Sequence, residues 1–133
     1  MLHPVVISGA YRRDAPLLKR TFRELETTGC RILSPLSIDF PDPTEPVVRT
    51  EHEGGVSTDE LERFHLRAIA QSEFMWLHAP DGYVGIMGSH DTGHACALNI
   101  PVFCYNALAD EMLSTRIQIV PSVFAALEIL AGR

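Results

Sequence analysis

Short apolar runs alternate with amphipathic stretches along the chain. Pro4-Val5-Val6-Ile7-Ser8 is an apolar run closed by Gly9, the pattern of a parallel strand buried on both faces. Asp14 can cap a helix with Pro16 in its first turn. Leu17, Leu18, Phe22 and Leu25 then recur at near-helical spacing, and Gly29 stops the helix. Arg31-Ile32-Leu33-Ser34 predicts a second strand. Ser57 or Thr58 opens the next helix, with Glu60 in its first turn and Leu61, Phe64, His65, Ala68 and Ile69 on its inner face. A third strand is expected over 74–78, a helix over 89–98, and a fourth strand over 101–105. A helical turn near 107–113, a fifth strand over 116–120 and a final helix opened by Pro121-Ser122 complete the pattern. The stretch 35–55, with Pro41, Pro43, Pro46, Gly54 and Gly55, reads as a long loop covering a site.

Strands alternating with helices require right-handed crossovers and a parallel sheet. The expected fold is α/β: a single domain over 1–133, a three-layer α/β/α sandwich. Its five-stranded parallel, flavodoxin/Rossmann-like sheet has the order 2-1-3-4-5. Ligands of such sheets bind beyond the strand C-termini, where strands 1 and 3 diverge. The loops 9–13 and 81–91 meet there.

The 133 residues carry a net charge of −6, with 46% hydrophobic and 21% charged side chains. This is an ordinary soluble globular composition. The acidic balance argues against a nucleic acid polymer as partner, because phosphate backbones need clustered Lys and Arg. No apolar run approaches the roughly 20 residues of a membrane span, so no membrane partner is expected. The chain opens on a strand pattern without a signal-peptide profile. Cys30, Cys96 and Cys104 form no CxxC pair, which fits a reducing compartment and a cytoplasmic location.

The glycine-rich segment 80–95 follows the third strand and carries the candidate chemistry. Gly85, Gly88 and Ser89 could donate to a phosphate at a helix N-terminus, although the spacing matches neither GxGxxG nor a P-loop. His90-Asp91-Thr92-Gly93-His94 looks like the zinc motif HExxH with Asp for Glu. Gly93 weakens that helix and no third ligand is evident, so no metal is expected. Asp91, placed where loop becomes helix, could serve as nucleophile or stabilise a sugar cation; equally it could cap the helix. In the first loop, Gly9 permits close backbone approach, Tyr11 can stack or donate, and Arg12 or Arg13 can hold a phosphate. Glu73 before the third strand and Asp81 after it could position a ribose hydroxyl or protonate a leaving base. Met75 and Trp76 read as core, His65 as a satisfied core histidine, and Cys96 and Cys104 as packing residues.

Three segments together resemble the nucleoside 2-deoxyribosyltransferase superfamily, which includes deoxynucleoside 5′-monophosphate N-hydrolases. They are the opening strand with Gly-x-Tyr-Arg, the run Pro80-Asp81-Gly82-Tyr83-Val84-Gly85, and Asp91-x-Gly-x-Ala-x-Ala-Leu-x-Ile-Pro-Val-Phe. The resemblance covers most of the chain and is weakest across 40–57. It implies that Asp91 is the nucleophile attacking C1′, at a position where the family carries Glu. It also implies that Glu73 stands in for the family's aspartate and that Tyr11 matches the first-loop aromatic. Catalytic roles therefore fall to Asp91, Glu73 and Tyr11, and substrate contacts to Gly9, Arg12, Arg13, Asp81, Gly85, Gly88 and Ser89. The base would lie near Tyr11 and Trp76 or the 40–57 loop. The implied substrate is a nucleoside or nucleotide, with no metal or organic cofactor, and the implied assembly is a homodimer or higher homo-oligomer. The alternative is a non-catalytic nucleotide-binding or sensing domain on the same fold.

Overall fold

The computed structural model describes residues 2–42, 44 and 47–132. Pro43 and Pro46, two of the loop markers, lie outside them. Strands β1 (His3–Gly9), β2 (Cys30–Ser34), β3 (Phe74–His78), β4 (Val102–Cys104) and β5 (Gln118–Ile119) form one parallel sheet in the expected order β2-β1-β3-β4-β5. Helices α1 (Ala15–Thr27), α2 (Thr58–Ala70), α3 (Gly85–Ala97), α4 (Glu111–Ser114) and α5 (Val123–Ala131) occupy the connections.

Side chains of a strand alternate between the two faces of a sheet, and that alternation builds the three layers. Val5, Ile7, Phe74, Trp76 and Phe103 meet Leu18 and Leu25 of α1 and Val123 and Ala126 of α5. Val6, Met75, Leu77, Val102 and Cys104 meet Ala68 and Ile69 of α2 and Ala95 of α3. Every residue of β3 is buried, as a central strand covered on both faces must be. Phe74 and Phe103 pack edge to face at 5.5 Å between centroids, and Trp76 packs against Tyr105 at 4.6 Å. Trp76 is therefore core, as its apolar run suggested.

Three helices start where their capping residues dictate. Asp14 Oδ1 accepts from Leu17 N, Ser57 Oγ from Glu60 N, and Ser122 Oγ from Ala125 N, each at 3.1 Å. The expected helix over 89–98 begins four residues earlier, at Gly85. Gly88 belongs to the helix rather than to a loop: a Cβ there would lie 2.6 Å from Val84 Cγ1 and 3.0 Å from the Cα of Gly9. Gly9 has φ +117°, and its own Cβ would sit 2.2 Å from the carbonyl oxygen of His78. These two glycines let α3 rest directly on the C-terminal end of β1. The fifth strand pairs over two residues instead of five, and the helical turn near 107–113 is the four-residue α4.

Among the described residues, 35–57 carries no helix or strand beyond a 3₁₀ turn at Glu51–Glu53. This segment crosses the loop after β1: Phe40 stacks on Tyr11 at 5.7 Å, and Arg12 Nη1 donates to the carbonyl of Thr44 at 3.4 Å. Cys30, Cys96 and Cys104 are free thiols. Among the described residues, no helix is long and apolar enough to cross a membrane.

Candidate active site

Asp91 lies in the second turn of α3, buried against the end of β1, and not at the helix start. It therefore neither caps α3 nor owes its ionisation to the helix N-terminus. Its Oδ2 accepts a short hydrogen bond from Ser8 Oγ and stands 3.2 Å from Nε2 of His65 on α2. His65 Nδ1 lies 2.6 Å from Ser34 Oγ at the end of β2. An ionised carboxylate can only accept, so Nε2 donates to Asp91, while Nδ1 shares a hydrogen bond with the Ser34 hydroxyl. His65 is thus a satisfied core histidine, as expected, and its partner is the candidate nucleophile.

The other carboxylate oxygen is different. Asp91 Oδ1 and Glu62 Oε1 are buried, and among the described residues neither receives a hydrogen bond from a third group. His90 Nδ1 stands 3.4 Å from Glu62 Oε1 and 3.6 Å from Asp91 Oδ1. The three ligand atoms lie within 4.8 Å of one another. His94, the other histidine of the HExxH-like stretch, is not part of this group.

The two carboxyls differ in their surroundings. Burial drives the Glu62 carboxyl up to about 9, reinforced by hydrogen bonding to Asp91 and by its charge. Burial also acts to raise Asp91, but His65, the facing Glu62 carboxyl and Ser8 outweigh it and hold Asp91 at about 2. At neutral pH the pair therefore carries one proton, and it resides on Glu62. Two adjacent carboxyls pushed apart in this way are equipped for separate roles as acid and nucleophile.

Tyr11 completes the cluster. Burial, then the negative charges of Asp91, Glu62 and Glu53, raise its phenol well above the usual range. Its hydroxyl donates to the carbonyl of Ile7, so it is a neutral group whose ring faces Phe40.

The remaining sequence candidates spread around this centre. Glu73 is not in it. Its backbone N–H bonds to Pro4, and its Oε2 lies 2.8 Å from His3 Nδ1, at the N-terminal edge of the sheet. Pro4 and Ser8 are four residue steps apart along β1, about 13 Å at roughly 3.3 Å per residue. The carboxyl beside Asp91 is Glu62, which the sequence reading did not single out. Its signal was its spacing: Glu62 and His65 are three apart on α2 and so share a face. Asp81 is exposed in a turn at φ 55°. Arg13 places its guanidinium 3.6 Å over the Tyr83 ring, while its carbonyl accepts from His78 Nε2 at 2.7 Å. Ser89 Oγ donates to the carbonyl of Gly85 at 2.8 Å, within its own helix. Val84, ahead of α3, offers no capping side chain to the first-turn amides.

A surface cavity of about 460 Å³ is lined by Asp42, Arg49, Gly55 and Glu60 among others. Another of about 450 Å³ runs along α2 between Leu36, Leu61 and Phe64. Neither is lined by Asp91, Glu62 or His90. The sequence matches no protein-family model and no curated protein.

Proposed function

We propose that the chain cleaves the N-glycosidic bond of a nucleoside or nucleoside 5′-monophosphate through attack of Asp91 on C1′. The observation that carries this reading is the pairing of an ionised, anchored Asp91 with a protonated Glu62 at the C-terminal edge of the sheet. Ser8 and His65 hold Oδ2, which leaves Oδ1 to form the bond to the anomeric carbon. As that bond forms, the C1′–N bond breaks. Its electron pair leaves with the base, which takes the proton of Glu62. Water then attacks C1′ and gives its proton to the Glu62 carboxylate, and Asp91 departs as a carboxylate. A second base in place of water makes the same chemistry a deoxyribosyl transfer. Arg13 and the uncapped first turn of α3 favour a 5′-phosphate on the substrate. The resemblance to the nucleoside 2-deoxyribosyltransferase superfamily points the same way, with Glu62 rather than Glu73 as the acid and with a homo-oligomeric assembly.

The test is release of free base from a panel of nucleosides and nucleotides, followed by chromatography. The wild-type protein releases base from at least one substrate, and Asp91→Ala lowers the rate at least about a thousandfold. Mass spectrometry of protein quenched during turnover finds a sugar adduct on the peptide containing Asp91. No base release by either wild-type protein or Asp91→Glu overturns the reading. Nucleotide-induced thermal stabilisation without turnover would identify instead a binding or sensing domain.

A further inference from the structure

We propose that Glu62, His90 and Asp91 form a binding site for a divalent transition-metal ion of the zinc class. Two carboxylate oxygens and one imidazole nitrogen are a donor set suited to such an ion. The geometry is already close to that of a ligated site. For metal–ligand bonds of about 2.1 Å, neighbouring ligands of a tetrahedral ion stand roughly 3.4 Å apart. His90 Nδ1 lies 3.4 Å from Glu62 Oε1 and 3.6 Å from Asp91 Oδ1.

The second observation is the state of Asp91 itself. Its side chain is only 5% exposed, yet Oδ1 receives no hydrogen bond from a third group among the described residues and faces this cluster. Oδ2 is already fixed by Ser8 and His65, so Asp91 offers one oxygen in a set direction. Glu62 Oε1 is buried and, like Asp91 Oδ1, receives no hydrogen bond from a third group among the described residues. No neighbouring donor reaches either oxygen, and a divalent cation that displaces the proton between the two carboxyls satisfies both. The His90 side chain is 54% exposed, so the ion has a route in, and the fourth position opens toward water or a ligand.

An ion bound at Oδ1 occupies the atom assigned above to nucleophilic attack. Zinc is therefore expected to inhibit the glycosidic reaction, a consequence that rests on the proposed function; the binding itself does not.

The experiment is titration of chelator-treated full-length protein with Zn²⁺ alone, by calorimetry and by melting temperature. Co²⁺ absorption reports ligation by visible bands. The wild-type protein binds one Zn²⁺ per chain with a raised melting temperature. His90→Ala loses more than about tenfold in affinity, since even partners that only orient a ligand cost that much. Glu62→Gln also weakens binding, whereas His94→Ala, on the same helix but outside the cluster, does not. Melting of each metal-free variant checks that it is folded. Absence of saturable binding in the wild-type protein overturns the proposal, as does equal affinity in the His90 and His94 variants. Base release in the presence of chelator is measured separately, so a failure of the glycosidic reading leaves the zinc titration interpretable.

Discussion

One proton is divided between Glu62 and Asp91, and the neighbours of each decide where it rests. Burial of Glu62 beside an anion keeps it protonated, while Ser8 and His65 keep Asp91 charged. Stability follows from this with opposite signs. The folded chain holds a proton on Glu62 up to about 9 that the unfolded chain, near 4.5, has already lost. Stability therefore falls as pH rises through that window. Asp91 contributes stability that is present above 3.8 and lost as pH falls toward about 2. In metal-free protein, Glu62→Gln removes the first dependence. Its stability relative to wild type is expected to improve from pH 5 to pH 9 by on the order of 1–2 kcal/mol, a shift discounted for the partial exposure of Glu62. Thermal melts across that range check it, and parallel curves would contradict it. On the proposed function, kcat/KM is expected to decline on the alkaline side as Glu62 loses its proton, read from the pH profile of base release. His65→Ala removes a hydrogen bond from Asp91 but leaves it buried. The acid limb should move up into the accessible range above pH 4, as read from the pH profile of base release.

The glycines of α3 separate what a sequence pattern conveys about an element from what packing adds. Gly85 and Gly88 read as loop residues because glycine is unfavourable in a helix, so the helix was expected to begin at Ser89. The reason they are helical is invisible locally: residue 88 touches the Cα of Gly9, almost eighty positions away. Gly93 sits in the same helix with nothing within 4 Å of a Cβ. The two therefore predict opposite outcomes. Gly88→Ala forces Val84 or β1 to shift and should destabilise by about 1–3 kcal/mol. Gly93→Ala should stabilise by about 0.5–1 kcal/mol through helix propensity. Urea denaturation of the two variants measures both, and equal effects would refute this account of Gly88. The strands and the capped helices were legible because apolar runs and Asp14, Ser57 and Ser122 act within a few residues. The start of α3 and the shortness of β5 depend on contacts that no local window contains.

A parallel sheet has polarity, and at the scale of the whole molecule that polarity selects the site. The order β2-β1-β3-β4-β5 could be anticipated from the alternation of strands and helices, and with it the edge where ligands bind. Asp91 and Tyr11 could be placed at this edge from the sequence because each belongs to a segment that follows a strand's C-terminal end. Glu73 lies away from Asp91, because proximity to β3 in sequence says nothing about which end of the strand a residue occupies. It precedes the strand and so falls at the edge away from the site, paired with His3. Glu62 escaped notice for the converse reason: it lies mid-helix, and only the packing of α2 against α3 and β1 turns it toward Asp91. Two variants of the same chemistry decide between these carboxyls. Glu73→Gln breaks only a half-exposed pair, worth little in stability, and should leave base release within about twofold of wild type. Glu62→Gln removes the proposed proton donor and should lower the rate by about 10²–10⁴, with least effect on substrates whose base departs without protonation. Equal losses in both variants, measured on the same nucleotide, would return the acid's role to the opposite edge of the sheet and break the link between Asp91 and its buried partner.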